Sequence, residues 1–312
     1  MKINRRSFLK QGFALGAAFS LADLGGLFAA DTPETASTPT PGTGTPQLVA
    51  VKGGDRVTML NKAMDALGGM KAFVKSGQTV VIKPNIGWDV APDRGANTHP
   101  ELVRRLVEMC KEAGAKEISI FDNTCDNWQK AYATSGISKV AEETGAKLID
   151  GKDQSMYRKV EIPGAKKLKS PQVHSLILDS DVYINTPVLK HHSGAQMTAC
   201  LKNAMGVVWD RGFWHSNDLH QCIGEFHLLK KPVLNVLDAY HPMVRNGPRG
   251  RDESDVVLMK CLIVSPDLVA ADAAGSKLLG HQPSDIRYIP IAAGLGLGSM
   301  DLEKLNIQRM EI

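Results

Sequence analysis

Outside its first 30 residues, the 312-residue chain has no run of 18 or more nearly uninterrupted apolar residues, the length a membrane-spanning helix needs. It has no C-x-x-C pair: Cys110, Cys125, Cys200, Cys222 and Cys261 stand far apart. That leaves no cysteine motif for an iron–sulfur cluster and no local zinc site. An odd count at such spacing also argues against a disulfide scaffold. Cys110 and Cys261 fall in apolar periodic segments and read as packed thiols. An excess of one charge is missing too. Residues 1–30 carry four basic residues and one acidic one, so the net charge of +4 falls to +1 for the remainder. A near-neutral remainder gives no electrostatic ground for a nucleic-acid partner. There is no H-x-H or H-x-x-x-H pair to chelate a metal locally, and no internal repeat. The run Gly294-Leu295-Gly296-Leu297-Gly298 has the wrong glycine spacing for a nucleotide loop.

What is present begins with an address. Asn4-Arg5-Arg6-Ser7-Phe8-Leu9-Lys10 has the layout of a twin-arginine export signal, and a mildly apolar run from Gly12 to Ala30 follows, broken only by Asp23. Residues 1–30 are therefore expected to be a signal peptide read by the twin-arginine machinery, and the mature chain is expected in the periplasm. The bland alternative is an amphipathic first helix. Phe28 occupies the third position before a cut after Ala30, where a small residue is preferred, so an uncleaved signal serving as a membrane tether stays open. Residues 31–46 (DTPETASTPTPGTGTP) have little to bury and read as a linker. Residues 47–312 are expected to form a single α/β domain.

Within that domain strands and helices alternate. Gln78–Pro84 (QTVVIKP), Glu117–Phe121, Lys147–Asp150, Asp181–Asn185, Pro232–Leu237 and Lys260–Val264 are short apolar strands. Helices are expected from Thr98, a plausible cap with Glu101 three residues on, to Gly114, and then around Lys139–Thr144, Gly194–Val207, Asn217–Leu229 and Pro266–Leu279. The fold class that follows is α/β, with a mainly parallel sheet and helices on both faces.

Ligands of such sheets bind beyond the carboxyl ends of the strands. Lys83 and Asn85 end one strand, Asp122 another, Lys190 and His192 follow a third, and Asp238 ends a fourth. Asp122 has a bland reading as a helix cap. Two strand-end lysines suit an anion better than a cap, so Lys83 and Lys190 are anion-binding candidates, against the alternative of two surface lysines. Lys190 and His192 share a face of an extended segment. Lys202 and Asn203 lie in an apolar stretch, where a desolvated lysine would have a lowered pKa and serve as base or nucleophile. Six of the nine histidines fall between Lys190 and His241. On a helix His220 and His227 lie roughly 10 Å apart and cannot share a metal. A metal would need dispersed ligands such as His192, His220 and Asp238, and whether one is bound stays open. The loop Trp209–His215 would serve as a lid, a plug or an oligomer contact.

Lys83, Asn85, Asp122, Lys190, His192, Lys202, Asn203 and His220 are thus expected to converge on one crevice. His192, His220, Lys202 and Asp238 would carry the chemistry, and the others would hold the ligand.

The succession VVIKPNIG, THPELVRRLVEMCKEAGAKEISIFDN, INTPVLKHHSGAQMTACLKNAMGVV, DLHQCIGEF and VSPDLVAADAAGSKLLG resembles the domain of unknown function 362 family, from about Gln78 to Gly280. The resemblance implies the same α/β architecture. It places Lys83, Asn85, His99, Lys190, His192, Lys202, Asn203, His220, Asp238 and Asp272 in the family's motif blocks, and it implies no particular reaction. Some relatives carry a cysteine-rich iron–sulfur module, from which this chain departs.

Three functions compete at this point. One is an exported enzyme acting on a small anion, using a metal or preloaded cofactor, which predicts a histidine oriented by a carboxylate. The second is a periplasmic anion-binding protein, with lysines and backbone amides alone. The third is a scaffold or maturation partner, with an exposed aromatic patch and no pocket.

Overall fold

A computed structural model describes residues 44–312. The arginine pair and most of the Thr/Pro-rich linker lie outside the described residues. Among the described residues no helix is long and apolar enough to cross a membrane.

Among the described residues twelve strands form: β1 (Leu48–Lys52), β2 (Thr79–Pro84), β3 (Glu117–Ile120), β4 (Lys147–Leu148), β5 (Tyr157–Lys159), β6 (Gln172–His174), β7 (Val182–Thr186), β8 (Val188–His192), β9 (Gln196–Thr198), β10 (Leu234–Met243), β11 (Cys261–Ser265) and β12 (Ile307–Glu311). Ten of them make one sheet in the order β12-β1-β11-β10-β7-β2-β3-β4, with β8 joining β10 and β9 joining β8. The run from β10 to β4 is parallel throughout, as the alternation of strands and helices predicts. β11 runs antiparallel to both β10 and β1, so it is a reversed strand set inside the sheet, and β1 and the edge strand β12 again run in the direction of β10. β5 and β6 pair separately.

Strand parity divides the core. Val80, Ile82, Ile118, Ile120, Val182, Ile184, Leu234 and Val236 share one face with the helices Arg56–Ala66 and Pro100–Glu112. Lys83, Asn185 and Asn235 have the opposite parity. That second face carries the helix Leu268–Leu278, where a Cβ on Gly275 would stand 2.8 Å from Leu237. Helices thus cover both faces.

Three local expectations need correction. Thr98 does not cap the helix Pro100–Glu112; the imidazole of His99 does, accepting from the Glu101 N–H at 3.4 Å. Thr98 Oγ1 instead accepts from the Asn85 N–H at 2.8 Å and donates to the Thr186 carbonyl at 2.6 Å, which ties the end of β2 to the end of β7. The stretch 194–207 is not one helix. Its first part pairs with β8 as β9, Lys190 opposite Thr198, and only Cys200–Asn203 is α-helical before a 3-10 turn at Ala204–Val207. Sheet pairing there overrides a sequence whose apolar residues have no single helical stripe. Finally, Arg211–Ser216 is a short helix capped by Asp210 rather than an open loop.

Candidate functional site

The β2 strand delivers Lys83 to a position with no solvent exposure. Its ammonium donates to the Pro84 carbonyl at 2.8 Å and to Asn203 Oδ1 at 2.9 Å, and lies 2.8 Å from Asp122 Oδ1. Asp122 Oδ2 accepts the Ile86 N–H at 2.6 Å. The 3-10 turn closes over this pair: a Cβ on Gly206 would stand 1.8 Å from Asp122 Oδ1 and 2.5 Å from Lys83 Nζ. Only glycine allows that approach.

Asparagines carry the arrangement across the sheet. Asn203 Nδ2 donates to Asn185 Oδ1 at 2.8 Å, and Asn185 Nδ2 to Asn235 Oδ1 at 3.0 Å. Asn85 Nδ2 reaches Asn203 Oδ1 at 3.1 Å, while its own oxygen accepts from Lys190 at 2.8 Å. Lys190 also donates to the Ala96 carbonyl at 2.5 Å. From behind, the buried Asp272 accepts the N–H groups of Cys200 and Leu201 at 2.6 and 3.2 Å, and fixes the four-residue helix that bears Lys202 and Asn203. Asp272 is a positioning residue that sequence reasoning found only through the family resemblance.

These side chains wall one cavity of 440 Å³. Lys83, Asn85, Asp122, Lys190, His192, Lys202 and Asn203 all line it. So do Asn123, Cys125, Thr198, Arg211 and His215, none of which the sequence reading counted among the site residues. Asn123 and Cys125 follow Asp122 at a strand end, a signal that was available. The other three depend on pairings that no motif announces.

Two expected members lie elsewhere. His220 sits at the start of the helix Leu219–Phe226 with its ring stacked on Tyr288, centroids 6.1 Å apart. Asp238 is not at a strand end, because β10 continues to Met243. It shares the parity of Val236, on the face opposite Lys83, and there its carboxylate takes Arg56 Nε at 3.1 and 3.2 Å and the Tyr240 N–H at 3.1 Å. His192, His220 and Asp238 therefore do not assemble as a ligand set. Among the described residues no group of three or more His, Cys, Asp or Glu is placed to hold a metal ion. The tryptophans do not form the lid: Trp214 is fully buried and Trp209 packs against Tyr157, and from that segment Arg211, Gly212 and His215 reach the cavity.

The cavity is cationic, and burial sets its protonation. Lys190 is pushed down to about 7 by burial and then by the charge of Lys202. Lys202 falls to about 8 through burial, with Arg211 and Lys83 adding repulsion. Lys83 is lowered by burial, which Asp122 offsets in part. Lys202 differs from the other two lysines in its partners: among the described residues its ammonium meets only the Met205 sulfur, at 3.4 Å.

His192 has no carboxylate orienter. Its Nδ1 accepts the N–H groups of Gly194 and Ala195 at 3.0 and 3.1 Å, so the neutral ring carries its proton on Nε2. Burial, then Lys202 and Lys190, drive its pKa to about 2. A histidine held this way donates a hydrogen bond and does not take up a proton at neutral pH. Two further polar atoms wait in the wall: Asn123 Oδ1 and Thr198 Oγ1 are buried without a hydrogen-bond partner.

The chain is similar to several known proteins. A thylakoid-associated protein of Synechocystis sp. is 29% identical over 259 residues, 78% of this chain and 76% of that protein. The lactate racemase apoprotein of Thermoanaerobacterium thermosaccharolyticum superposes with a TM-score of 0.46 at 12% identity, over 75% of this chain and 57% of that one. A Thermotoga maritima protein does so with a TM-score of 0.47 at 12% identity, over 76% and 59%. The chain spans less than two thirds of each of those two solved chains. Residues 80–277 match the family model described as Domain of unknown function (DUF362). That interval opens in β2, closes in the helix Leu268–Leu278 and takes in every residue lining the cavity, and the chain belongs to the domain of unknown function 362 family.

Proposed function

We propose that the protein is an enzyme acting on a small organic anion that also carries a hydrogen-bond donor, bound in the 440 Å³ cavity. The observation that carries this reading is the Lys202 ammonium, buried yet without an oxygen acceptor, in a cavity whose carboxylate, Asp122, is already paired with Lys83. A buried cation lacking a counter-charge is costly and is relieved by an anionic ligand. The volume falls within the range of small-molecule sites.

The roles differ from those the sequence suggests. Lys83 has its donors committed and serves as structure. Lys202 and the Nε2–H of His192 take the anion. Asn123 Oδ1 accepts from the ligand's donor group. Lys190, once neutral, spends its two N–H groups on Asn85 and Ala96 and keeps a lone pair for a proton, which makes it the candidate base.

Isothermal titration calorimetry with sulfate and with malonate, at constant ionic strength, is expected to show one site. Lys202→Met should weaken it about 10- to 100-fold, the value of a charge-assisted hydrogen bond. An affinity unchanged by Lys202→Met removes the observation on which the reading stands.

The reading includes the compartment: residues 1–30 as a twin-arginine signal, then a linker, then one domain from residue 47 that works in the periplasm. The support is the register of Arg5, Arg6, Phe8, Leu9 and Lys10. Replacing both Arg5 and Arg6 by Lys is expected to keep the protein in the cytoplasm, read by fractionation and immunoblotting. Normal periplasmic accumulation of the double variant contradicts it.

A further inference from the structure

We propose that Cys125 is a covalent site at the mouth of this cavity, whose thiol attacks the electrophilic carbon of a carboxylate-bearing molecule. The proposal rests on the reading of the cavity as an anion site.

The five cysteines are not equivalent. Cys110, Cys200, Cys222 and Cys261 are buried, and burial pushes their thiols up, to about 12 for Cys110 and Cys261 and about 11 for Cys222. Cys125 is exposed and lines the cavity. Its backbone is fixed by an N–H bond to the Gly87 carbonyl at 2.8 Å.

The sulfur is set against positive charge that cannot move away. Arg211 Nη1 lies 3.3 Å from Cys125 Sγ. The same guanidinium donates to the carbonyls of Asn123 and Thr124, each at 2.8 Å, and so is pinned to the loop that carries the cysteine. Lys83, Lys190 and Lys202 line the same cavity as Cys125. Such a field concentrates anions beside the sulfur.

A second observation points to a ligand at this spot. Asn123 Oδ1, two residues before the cysteine, and Thr198 Oγ1 belong to residues that line the cavity, are more than nine-tenths buried and have no hydrogen-bond partner among the described residues. Lys202 lines the same cavity, and among the described residues its ammonium has only a thioether contact. A molecule whose carboxylate meets Lys202 lies in the cavity that Cys125 also lines, and its neighbouring carbon is the one the thiol would attack. In the step itself an S–C bond forms and the carbon's bond to its leaving group breaks with its electron pair. The thiol proton passes to solvent.

The test is alkylation of the full-length protein by iodoacetate, which is anionic, and by iodoacetamide, its neutral isostere, with iodide leaving in both cases. Rates are normalised to those of glutathione, and the labelled residue is mapped by peptide mass spectrometry. Label is expected on Cys125 and to vanish in Cys125→Ser. The preference for iodoacetate should exceed that of glutathione by about tenfold or more, at the lower end of what electrostatic focusing provides. Sulfate should slow iodoacetate and leave iodoacetamide unaffected, and Lys202→Met should reduce the preference. A glutathione-like preference, or one that survives both sulfate and Lys202→Met, overturns the proposal. Sulfate binding by calorimetry separates the two ideas: binding without the preference rejects Cys125 alone, and no binding rejects the anion site as well.

Discussion

Lys83→Met is expected to destabilise the protein by about 3–5 kcal/mol, the cost of removing one partner from a buried ion pair. For a domain of this size that lowers the melting temperature by roughly 10 °C. The size of the effect follows from what the ammonium does. It meets a carbonyl, an amide oxygen and a carboxylate, with no exposure to solvent. Methionine keeps the stem and deletes all three contacts. Asp122 would retain the Ile86 N–H on Oδ2, and its other oxygen would lose the ammonium 2.8 Å away. Water cannot readily substitute, because the backbone at Gly206 already presses on the pair. The companion variant, Lys83→Met with Asp122→Leu, should recover much of the loss, since replacing both members of a buried pair by apolar groups is often close to neutral. Thermal and urea melts of the two variants read the difference. A Lys83→Met protein that melts normally yet loses sulfate binding would return Lys83 to the anion-binding role that the sequence suggests.

That reassignment illustrates which part of the site is legible in the chain. The apolar runs around Val80–Ile82, Ile118–Ile120 and Val182–Ile184 specify parallel strands, and parallel strands deliver their ends to one edge. This is enough to bring Lys83, Asn85, Asp122, Lys190 and His192 together before any coordinates are known. It is not enough to say which of them faces the ligand, because that depends on acceptors from distant segments: Asn203 for Lys83, and Asn85 and Ala96 for Lys190. Asp238 fails for a different reason. Its strand runs past the apolar residues that mark it, and a one-residue difference in parity puts its carboxylate under Arg56 on the far face of the sheet. His220 fails because its helix turns the ring toward Tyr288, and nothing local in DLHQCIGEF fixes that rotation. Lys202 shows the converse. Its apolar neighbours signal burial, and the structure buries it, although the helix that carries it is four residues long rather than fourteen as expected.

Sulfate affinity is expected to fall steeply as the pH rises from about 6 to about 9, by at least tenfold. Sulfate keeps its charge across this range, so the change belongs to the protein. The groups facing the cavity are Lys83, Lys190, Lys202 and Arg211, the rings of His192 and His215, the carboxylate of Asp122 and the thiol of Cys125. His192, at about 2, is neutral throughout. Lys190 and Lys202, at about 7 and about 8, lose their protons inside the window. The free protein should respond in the opposite sense. Both lysines have folded values below the 10.5 of an ordinary lysine, so between about 7 and 10.5 the unfolded chain binds more protons than the folded one. The lysine contribution to stability therefore rises with pH across that interval. Below about 7 both states are protonated, the penalty for burying the cations is complete, and a bound anion offsets most of it. Melting temperatures with and without sulfate, at matched ionic strength, should thus converge as the pH climbs past about 8, with the largest separation near pH 6. Curves that stay parallel from pH 6 to 9 would place the anion on Arg211 alone and would leave Lys190 and Lys202 without a part in binding.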